Sequence, residues 1–277
     1  MEVAADLASG KGHRDENFPV ASWLLKREHR APILTFYRFA RAADDIADHP
    51  TASPEEKLHL LGAMRRGLDG ASGGAAEALA LREALEEPGI PLIHAQELLD
   101  AFEQDVTVTR YPDWSALMAY CRKSAMPVGR FVLDVHGEDR ATWPLSDALC
   151  AALQIINHLQ DCAKDYRELD RVYLPLETLV AEGAAIEELA APAASPGLRR
   201  AITGLARQTL DLLAESRPFA RHIRSRRLAL EVAVIQRLAE DLAQRLTRCD
   251  PLSEPVHHGK LGAGWVALRA MLAHTIR

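Results

Sequence analysis

The sequence predicts an all-α protein built as one helical domain. Three observations point there. Ala and Leu dominate and runs of β-branched residues are rare, which favours helix over strand. Apolar residues recur at helical spacing, and no segment alternates apolar and polar residues long enough to demand a strand. With 277 residues, 48% apolar and 26% charged, the chain has ordinary globular composition and enough length for a core, which excludes disorder as its main state.

The helices follow in order. The first two are expected near 19–30 and 32–48, divided at Pro32, which suits a helix's first turn. The third, near 54–69, opens on Ser53-Pro54-Glu55-Glu56, where a capping hydroxyl precedes a proline and two acids that favour the positive end of the helix. The stretch Gly70 to Gly74 ends it. Helices near 74–87 and 91–106 are separated by Pro88-Gly89, and Gly137 closes one near 113–135. The next spans about 145–169. An Ala-rich connection over 183–195, with Pro192 inside it and Pro196 just after, leads to helices near 196–216, 227–247 and 261–275. Residues 1–15 are expected to be a flexible lead-in. No period of 20–50 residues repeats, so a single domain over 1–277 is the simplest organisation.

Several function classes fall away. The formal charge is −6, from 33 basic and 39 acidic residues, and phosphate backbones need a clustered basic surface, so no nucleic-acid partner is expected. Cys121, Cys150, Cys162 and Cys249 are scattered without metal-like spacing, which reads as reduced thiols in a cytoplasmic protein. The longest stretch free of charged residues, Ala148 to Gln160, has 13 residues and is too short to span a bilayer. Met1 to Arg14 lacks the apolar core of a signal peptide. The expected location is the cytoplasm, with peripheral contact at the membrane face left open. Glu254-Pro255-Val256-His257 has E-x-x-H spacing, but Pro lies inside it and no second copy exists, so a di-iron site is discounted.

Two polar stripes stand out. In Tyr37-Arg38-Phe39-Ala40-Arg41-Ala42-Ala43-Asp44-Asp45-Ile46-Ala47-Asp48, the residues Tyr37, Arg41, Asp44 and Asp48 are spaced +4, +3, +4 and share one side of a helix, with Asp45 beside them. In the second, Gln154, Asn157, Asp161 and Asp165 are spaced +3, +4, +4, a stripe about 16 Å long at helical rise. Leu153, Ile156 and Leu159 cover another part of that helix. Acids on a helix often form nothing more than a solvated face. A polar stripe on a buried helix, however, is expensive unless something satisfies it. Read together, two such stripes supply oxygen ligands from two facing helices, the donor set that hard cations such as Mg²⁺ prefer when phosphate completes the shell. Arg41 can neutralise and hold a phosphate. The chemistry inferred is metal-assisted loss or transfer of a diphosphate within an apolar helical cavity, where aromatic faces can stabilise positive charge.

At these residues the chain resembles the squalene/phytoene synthase family, the head-to-head prenyl synthases. The resemblance is carried by Tyr37-x-Phe39-x-Arg41-x-x-Asp44-Asp45-x-x-Asp48, by Tyr120-Cys121-x-x-x-Ala125-x-x-Val128-Gly129, and by Gln154-x-x-Asn157-x-x-x-Asp161-x-x-x-Asp165 followed by Arg171-Val172-Tyr173-Leu174-Pro175. In detail it is most similar to the bacterial branch of hopanoid biosynthesis, the hydroxysqualene synthases, through Glu16-Asn17-Phe18-Pro19-Val20-Ala21-Ser22 and Asn157-His158-Leu159-Gln160-Asp161-Cys162. The resemblance implies the helical bundle of isoprenoid synthases around a central apolar cavity, and presqualene diphosphate as substrate. Diphosphate leaves, the cyclopropylcarbinyl cation rearranges, and water captures it to give hydroxysqualene. Mg²⁺ is then the expected cofactor and no nicotinamide is expected, because water rather than hydride ends the reaction.

By the same resemblance Asp44, Asp45, Asp48, Asp161 and Asp165 hold Mg²⁺ and diphosphate, Arg41 contacts diphosphate oxygens, and Gln154 and Asn157 line the same stripe. Tyr37, Tyr120, Arg171 and Tyr173 are pocket or diphosphate-side residues. Gln160 departs from the Arg that many relatives carry before Asp161. The alternatives are head-to-head condensation of prenyl diphosphates, to presqualene diphosphate, squalene or phytoene, and a non-catalytic helical scaffold, which would be expected to lose the metal-motif acids that this chain retains. The oligomeric state is not legible in the sequence. Arg217, Arg221, Arg224, Arg226 and Arg227 form a basic run that is either a solvated helix end or a contact for anionic lipid.

Overall fold

The structure is a computed structural model, and it describes residues 27–258, with side chains from 29 onward. The lead-in 1–15, the opening Glu16 to Ser22 and the helix expected near 261–275 lie outside the described residues. Twelve α-helices are present among the described residues and no strand forms; an isolated parallel bridge joins Arg110 and Val172. The all-α class read from the sequence is therefore the class observed.

The contacts gather into two compact units. The first contains α1 (Arg27–Ala47), α2 (Pro54–Leu68), α3 (Ala76–Glu86), α4 (Ile93–Thr107) and α6 (Met126–Val135). Its core is apolar: Phe36, Phe39 and Ala43 of α1 pack among Leu61, Met64 and Leu68 of α2, Leu81 and Leu85 of α3, Leu98 and Leu99 of α4, and Phe131 of α6. Phe36 stacks on Phe131 with ring centroids 4.0 Å apart. The start signal at Ser53 is realised as a full capping box: the Glu56 N–H donates to Ser53 Oγ at 3.3 Å, and the Ser53 N–H donates to Glu56 Oε2 at 2.8 Å. Gly67 and Gly74 let the α2–α3 connection fold back on itself, since a Cβ at Gly74 would lie 2.4 Å from the Gly67 Cα. Buried His94 of α4 meets Asp134 of α6 at 3.0 Å, and Arg140 reaches the same carboxylate at 3.1 Å.

The second unit contains α5 (Trp114–Ser124), α7 (Trp143–Gln160), α8 (Cys162–Leu169), α9 (Leu176–Ala181), α10 (Pro196–Ser216), α11 (Phe219–His222) and α12 (Arg226–Leu246). Helix α7 is its axis and packs against α5, α10 and α12. Leu149, Ala152, Ile155, Ile156 and Leu159 of α7 are buried together with apolar faces of α10 and α12. One buried polar residue of α12 is fully paired: Gln236 donates to the Leu213 carbonyl at 2.8 Å and accepts from Ser216 Oγ at 2.7 Å.

The expected boundaries fail in three instructive places. Helix α1 runs without a break through Pro32, so no division falls there. One missing N–H is outweighed by the apolar face that α1 buries. The helix expected over 113–135 is two, parted at Ala125, two residues ahead of Pro127, which has no N–H to continue the ladder of α5. The helix expected over 145–169 is likewise two, parted at Asp161, where φ is −100° and ψ is 8°. Cys121, Cys150, Cys162 and Cys249 are free thiols here; burial pushes the Cys121 and Cys162 thiols up to about 12.

Candidate active site

The first stripe lies on the last three turns of α1, with Asp48 one residue past its end. Phe36, Phe39, Ala43 and Ile46 point into the core, which leaves Tyr37, Arg41, Asp44, Asp45 and Asp48 half-buried on the adjoining side. Arg41 forks between two acids: Nη1 lies 2.9 Å from Asp44 Oδ2 and Nη2 lies 2.6 Å from Asp45 Oδ1. One cation thus serves two of three clustered carboxylates. The balance is visible at Asp44, whose carboxyl is pushed up to about 7, by desolvation first and by the Asp48 charge next, with Asp45 and Asp105 adding and Arg41 opposing. Its side chain nevertheless keeps 38% of its surface, so an arriving cation can reach it. Asp105 of α4, almost fully buried, is a residue that the motif reading passed over. Its signal was present: Leu98, Ala101 and Asp105 follow core spacing, and an acid in a core stripe is anomalous.

The second stripe begins on α7 and continues on α8. Asp161 sits at the join, yet the hydrogen-bond ladder survives it: the Asp161 N–H donates to the Asn157 carbonyl at 2.9 Å and the Asp165 N–H to the Asp161 carbonyl at 2.8 Å. Gln154, Asn157, Asp161 and Asp165 are all half-buried, one turn apart. The Asp161 carboxyl is raised above its ordinary range by desolvation and by the Asp165 charge, against the opposing influence of Lys164, His257 and His158.

Beside this stripe stands a wall of rings. His158 stacks on Tyr173 with centroids 3.5 Å apart, Tyr120 lies 5.5 Å from Tyr173, and Tyr111 lies 5.2 Å from Tyr120 and 5.6 Å from Tyr173. Two crossings of the chain build it. The Val172 N–H donates to the Thr109 carbonyl and the Leu176 N–H to the Tyr111 carbonyl, both at 2.9 Å, which pins the approach to α5 against the exit from α8. Asp170 makes that exit possible by taking a left-handed cap at φ 50°, a conformation Asp tolerates better than most residues. Arg110 pairs with the Asp170 carboxylate, and the Arg171 N–H closes on the Asp165 carbonyl at 3.1 Å. Tyr111 was not anticipated from motifs. Tyr120, Arg171 and Tyr173 were, and all three are buried here. His158 also contacts the stripe itself, with Nε2 3.0 Å from Gln154 Nε2 and Nδ1 3.8 Å from Asp165 Oδ2.

Gln160 takes no part in the stripe. It is buried and donates to the Val256 carbonyl, with His257 Nδ1 at 3.3 Å.

The donor set fits a hard cation: the acids are oxygen ligands, and burial first, with neighbouring acids second, makes the Asp44 and Asp161 carboxyls resist ionisation. Among the described residues no group of three His, Cys, Asp or Glu side chains could hold an ion by itself. Mg²⁺ usually keeps several waters and binds through one or two carboxylates plus substrate phosphates.

Known proteins resemble this chain over most of its length. The family described as squalene/phytoene synthase matches residues 12–260. A hydroxysqualene synthase of Zymomonas mobilis is 53% identical over 274 residues, covering 97% of this chain and 92% of the relative. A presqualene diphosphate synthase of the same organism is 30% identical over 274 residues, covering 95% and 91%. The crystal structure of squalene synthase HpnC from Alicyclobacillus acidocaldarius superimposes with a TM-score of 0.74 at 31% identity, covering 89% of this chain and 92% of that one.

Proposed function

The chain belongs to the squalene/phytoene synthase family, and within it we propose that it acts as a hydroxysqualene synthase, converting presqualene diphosphate and water to hydroxysqualene and diphosphate in hopanoid biosynthesis. One observation carries the choice of step. The same bacterium holds a hydroxysqualene synthase 53% identical to this chain and a presqualene diphosphate synthase 30% identical to it, at nearly equal coverage.

The residues fit the chemistry. Asp44 and Asp45 on α1, Asp48 just past its end, and Asp161 and Asp165 at the α7–α8 join are assigned to Mg²⁺ and the diphosphate it carries, with Arg41 as a direct contact to diphosphate oxygens. A bound Mg²⁺ would supply relief of the negative charge that grows on the leaving group. The carbon–oxygen bond breaks with its electron pair going to diphosphate, and the cyclopropylcarbinyl cation rearranges. Water then bonds to the new cationic carbon and loses a proton. Tyr111, Tyr120, Tyr173 and His158 provide a ring surface that withholds bulk water and stabilises positive charge. Tyr37, Gln154, Asn157 and Arg171 complete the polar side. Water, not hydride, ends the reaction, so no nicotinamide is required.

The test is turnover of presqualene diphosphate with Mg²⁺ and without nicotinamide, followed by mass spectrometry of the lipid extract. Hydroxysqualene is the expected product. No turnover, with activity on farnesyl diphosphate instead, would replace this reading with head-to-head condensation. Absence of Mg²⁺-dependent binding of a diphosphate analogue would favour a non-catalytic scaffold.

Access to so apolar a substrate is assigned to peripheral contact with the membrane. No helix among the described residues is long and apolar enough to cross one. Arg221, Arg226 and Arg227 are exposed around the start of α12, where they suit anionic lipid headgroups. Co-sedimentation with anionic liposomes should weaken severalfold in Arg224→Glu plus Arg227→Glu; unchanged binding would reject the contact.

A further inference from the structure

The wall of rings is gripped at its edge by one arginine. Arg110 stands directly before Tyr111, and Asp170 caps α8 three residues before Tyr173. The Arg110 guanidinium spans these two segments of chain. Its Nη1 donates to the Thr109 carbonyl at 2.9 Å and to the Asp170 carbonyl, while Nη2 donates to Asp170 Oδ1 at 2.5 Å. Its Cζ lies 5.9 Å from the centre of the Tyr166 ring, within reach of a cation–π contact. Asp170 keeps 74% of its side-chain surface, so the ion pair as such adds little stability. Its effect is on geometry. Among the described residues Asp170 alone, apart from glycines, has a positive φ, and it is the pivot between α8 and Tyr173. A side chain in that left-handed state crowds the backbone, so the state needs holding. Arg110 holds it by carbonyl and carboxylate together, and so fixes the peptide leading to Tyr173 against the one leading to Tyr111. The two rings that follow are stacked, 20° from parallel.

We propose that Arg110 is a positioning residue for product fidelity: by clasping Asp170 it keeps Tyr111 and Tyr173 closed together, so that water meets the cation only after rearrangement. This rests on the assignment of the ring wall to the cation made above. If water enters early, its oxygen bonds to the cyclopropylcarbinyl carbon, a proton leaves to solvent, and a cyclopropyl alcohol forms in place of hydroxysqualene. Each alcohol takes up one water and releases one proton, so timing alone divides the two products. The contacts of Arg110 include none of the acids assigned to Mg²⁺, so its loss should leave substrate binding intact.

The experiment gives presqualene diphosphate and Mg²⁺ to the full chain carrying Arg110→Met, Asp170→Gly or Asp170→Asn. The ratio of cyclopropyl alcohol to hydroxysqualene is measured by chromatography with mass detection. That ratio is counted per product formed, so a variant that merely loses folded protein lowers total turnover and leaves it unchanged. In Arg110→Met the ratio should rise about tenfold, the result of a small change between competing barriers, with KM within about twofold of wild type. Asp170→Gly takes the left-handed backbone without steric cost but offers no carboxylate to hold, and its ratio should rise as well. Asp170→Asn tolerates that backbone and keeps an acceptor oxygen, so its ratio should stay near wild type. Near-ultraviolet circular dichroism reads the clasp without turnover, because three of the chain's five tyrosines form the wall and Tyr166 lies beside Arg110. Arg110→Met should lose tyrosine signal that Asp170→Asn keeps. A wild-type ratio in Arg110→Met overturns the proposal, as does an Asp170→Asn ratio equal to that of Asp170→Gly. Should Arg110→Met fail to fold, the two Asp170 variants decide by themselves. A wild-type protein that makes no hydroxysqualene would strike the proposed reaction, and the dichroism would then decide: an unchanged spectrum in Arg110→Met overturns the clasp, and a lost signal upholds it.

Discussion

His158 lies flat against Tyr173, with ring centroids 3.5 Å apart and planes 16° from parallel. The stack ties a residue of α7 to the chain beyond α8, and Tyr173 is in turn the ring that Tyr111 and Tyr120 both meet. Tyr173→Phe keeps the face and is expected to retain stability within about 1 kcal/mol and most of the activity. Tyr173→Ala opens the wall. It should cost about 3–5 kcal/mol in urea unfolding, as for other buried aromatics, and lower kcat/KM at least about tenfold. An alanine variant with wild-type kcat/KM would remove the wall from the site.

Asp45→Asn and Asp161→Asn test the two stripes separately. Each should lower turnover by about a hundredfold or more, the scale of losing a charged group that stabilises a transition state. Helical circular dichroism should be unchanged, because both side chains sit beside the buried faces rather than within them. Wild-type turnover in either variant would remove that stripe from the assignment.

How far the sequence anticipated these stripes depends on what each residue does locally. The spacing of Tyr37, Arg41, Asp44 and Asp48 translates directly into a shared side of α1, because helical geometry leaves no choice. Ser53 announces a helix start by chemistry that needs no distant partner. Asp161 was identified as a site residue but not as a helix break, since its backbone departure arises at the join of two buried segments. Asp105 is visible as an acid at a core position of α4, whereas the contacts of Tyr111 and Gln160 depend on what lies opposite them in space, and single-residue spacing carries no record of that. The short helices α9 and α11, six and four residues long, fall below the window in which periodicity can be read.

The raised carboxyl of Asp44 makes a prediction about pH. Between its ordinary value of 3.8 and about 7, the folded chain holds a proton that the unfolded chain releases. Stability of the metal-free protein on this account falls as pH rises through that window, and the full penalty is reached above it. Asp44→Asn removes the group that titrates. The melting temperature of the metal-free variant relative to wild type should therefore increase from pH 5 to pH 8. A difference that stays constant across those two conditions would reject the argument.

The capping box at Ser53 predicts a local effect remote from chemistry. Ser53→Ala should lower stability by about 1 kcal/mol, seen as a shift of the urea midpoint with an unchanged slope, and leave kcat/KM alone. A loss of activity exceeding the loss of folded protein would show that α2 contributes more than support.

Arg110 and Asp170 meet across sixty residues of chain. During synthesis the tyrosine that follows Arg110 leaves the ribosome long before its stacking companion exists. The ring enclosure is consequently assembled late, and any nascent or truncated product ending before residue 172 presents those aromatic faces to solvent as a sticky surface. A chaperone would meet the protein at that stage, and a clipped version would be expected to aggregate even with the first acid-bearing helix intact.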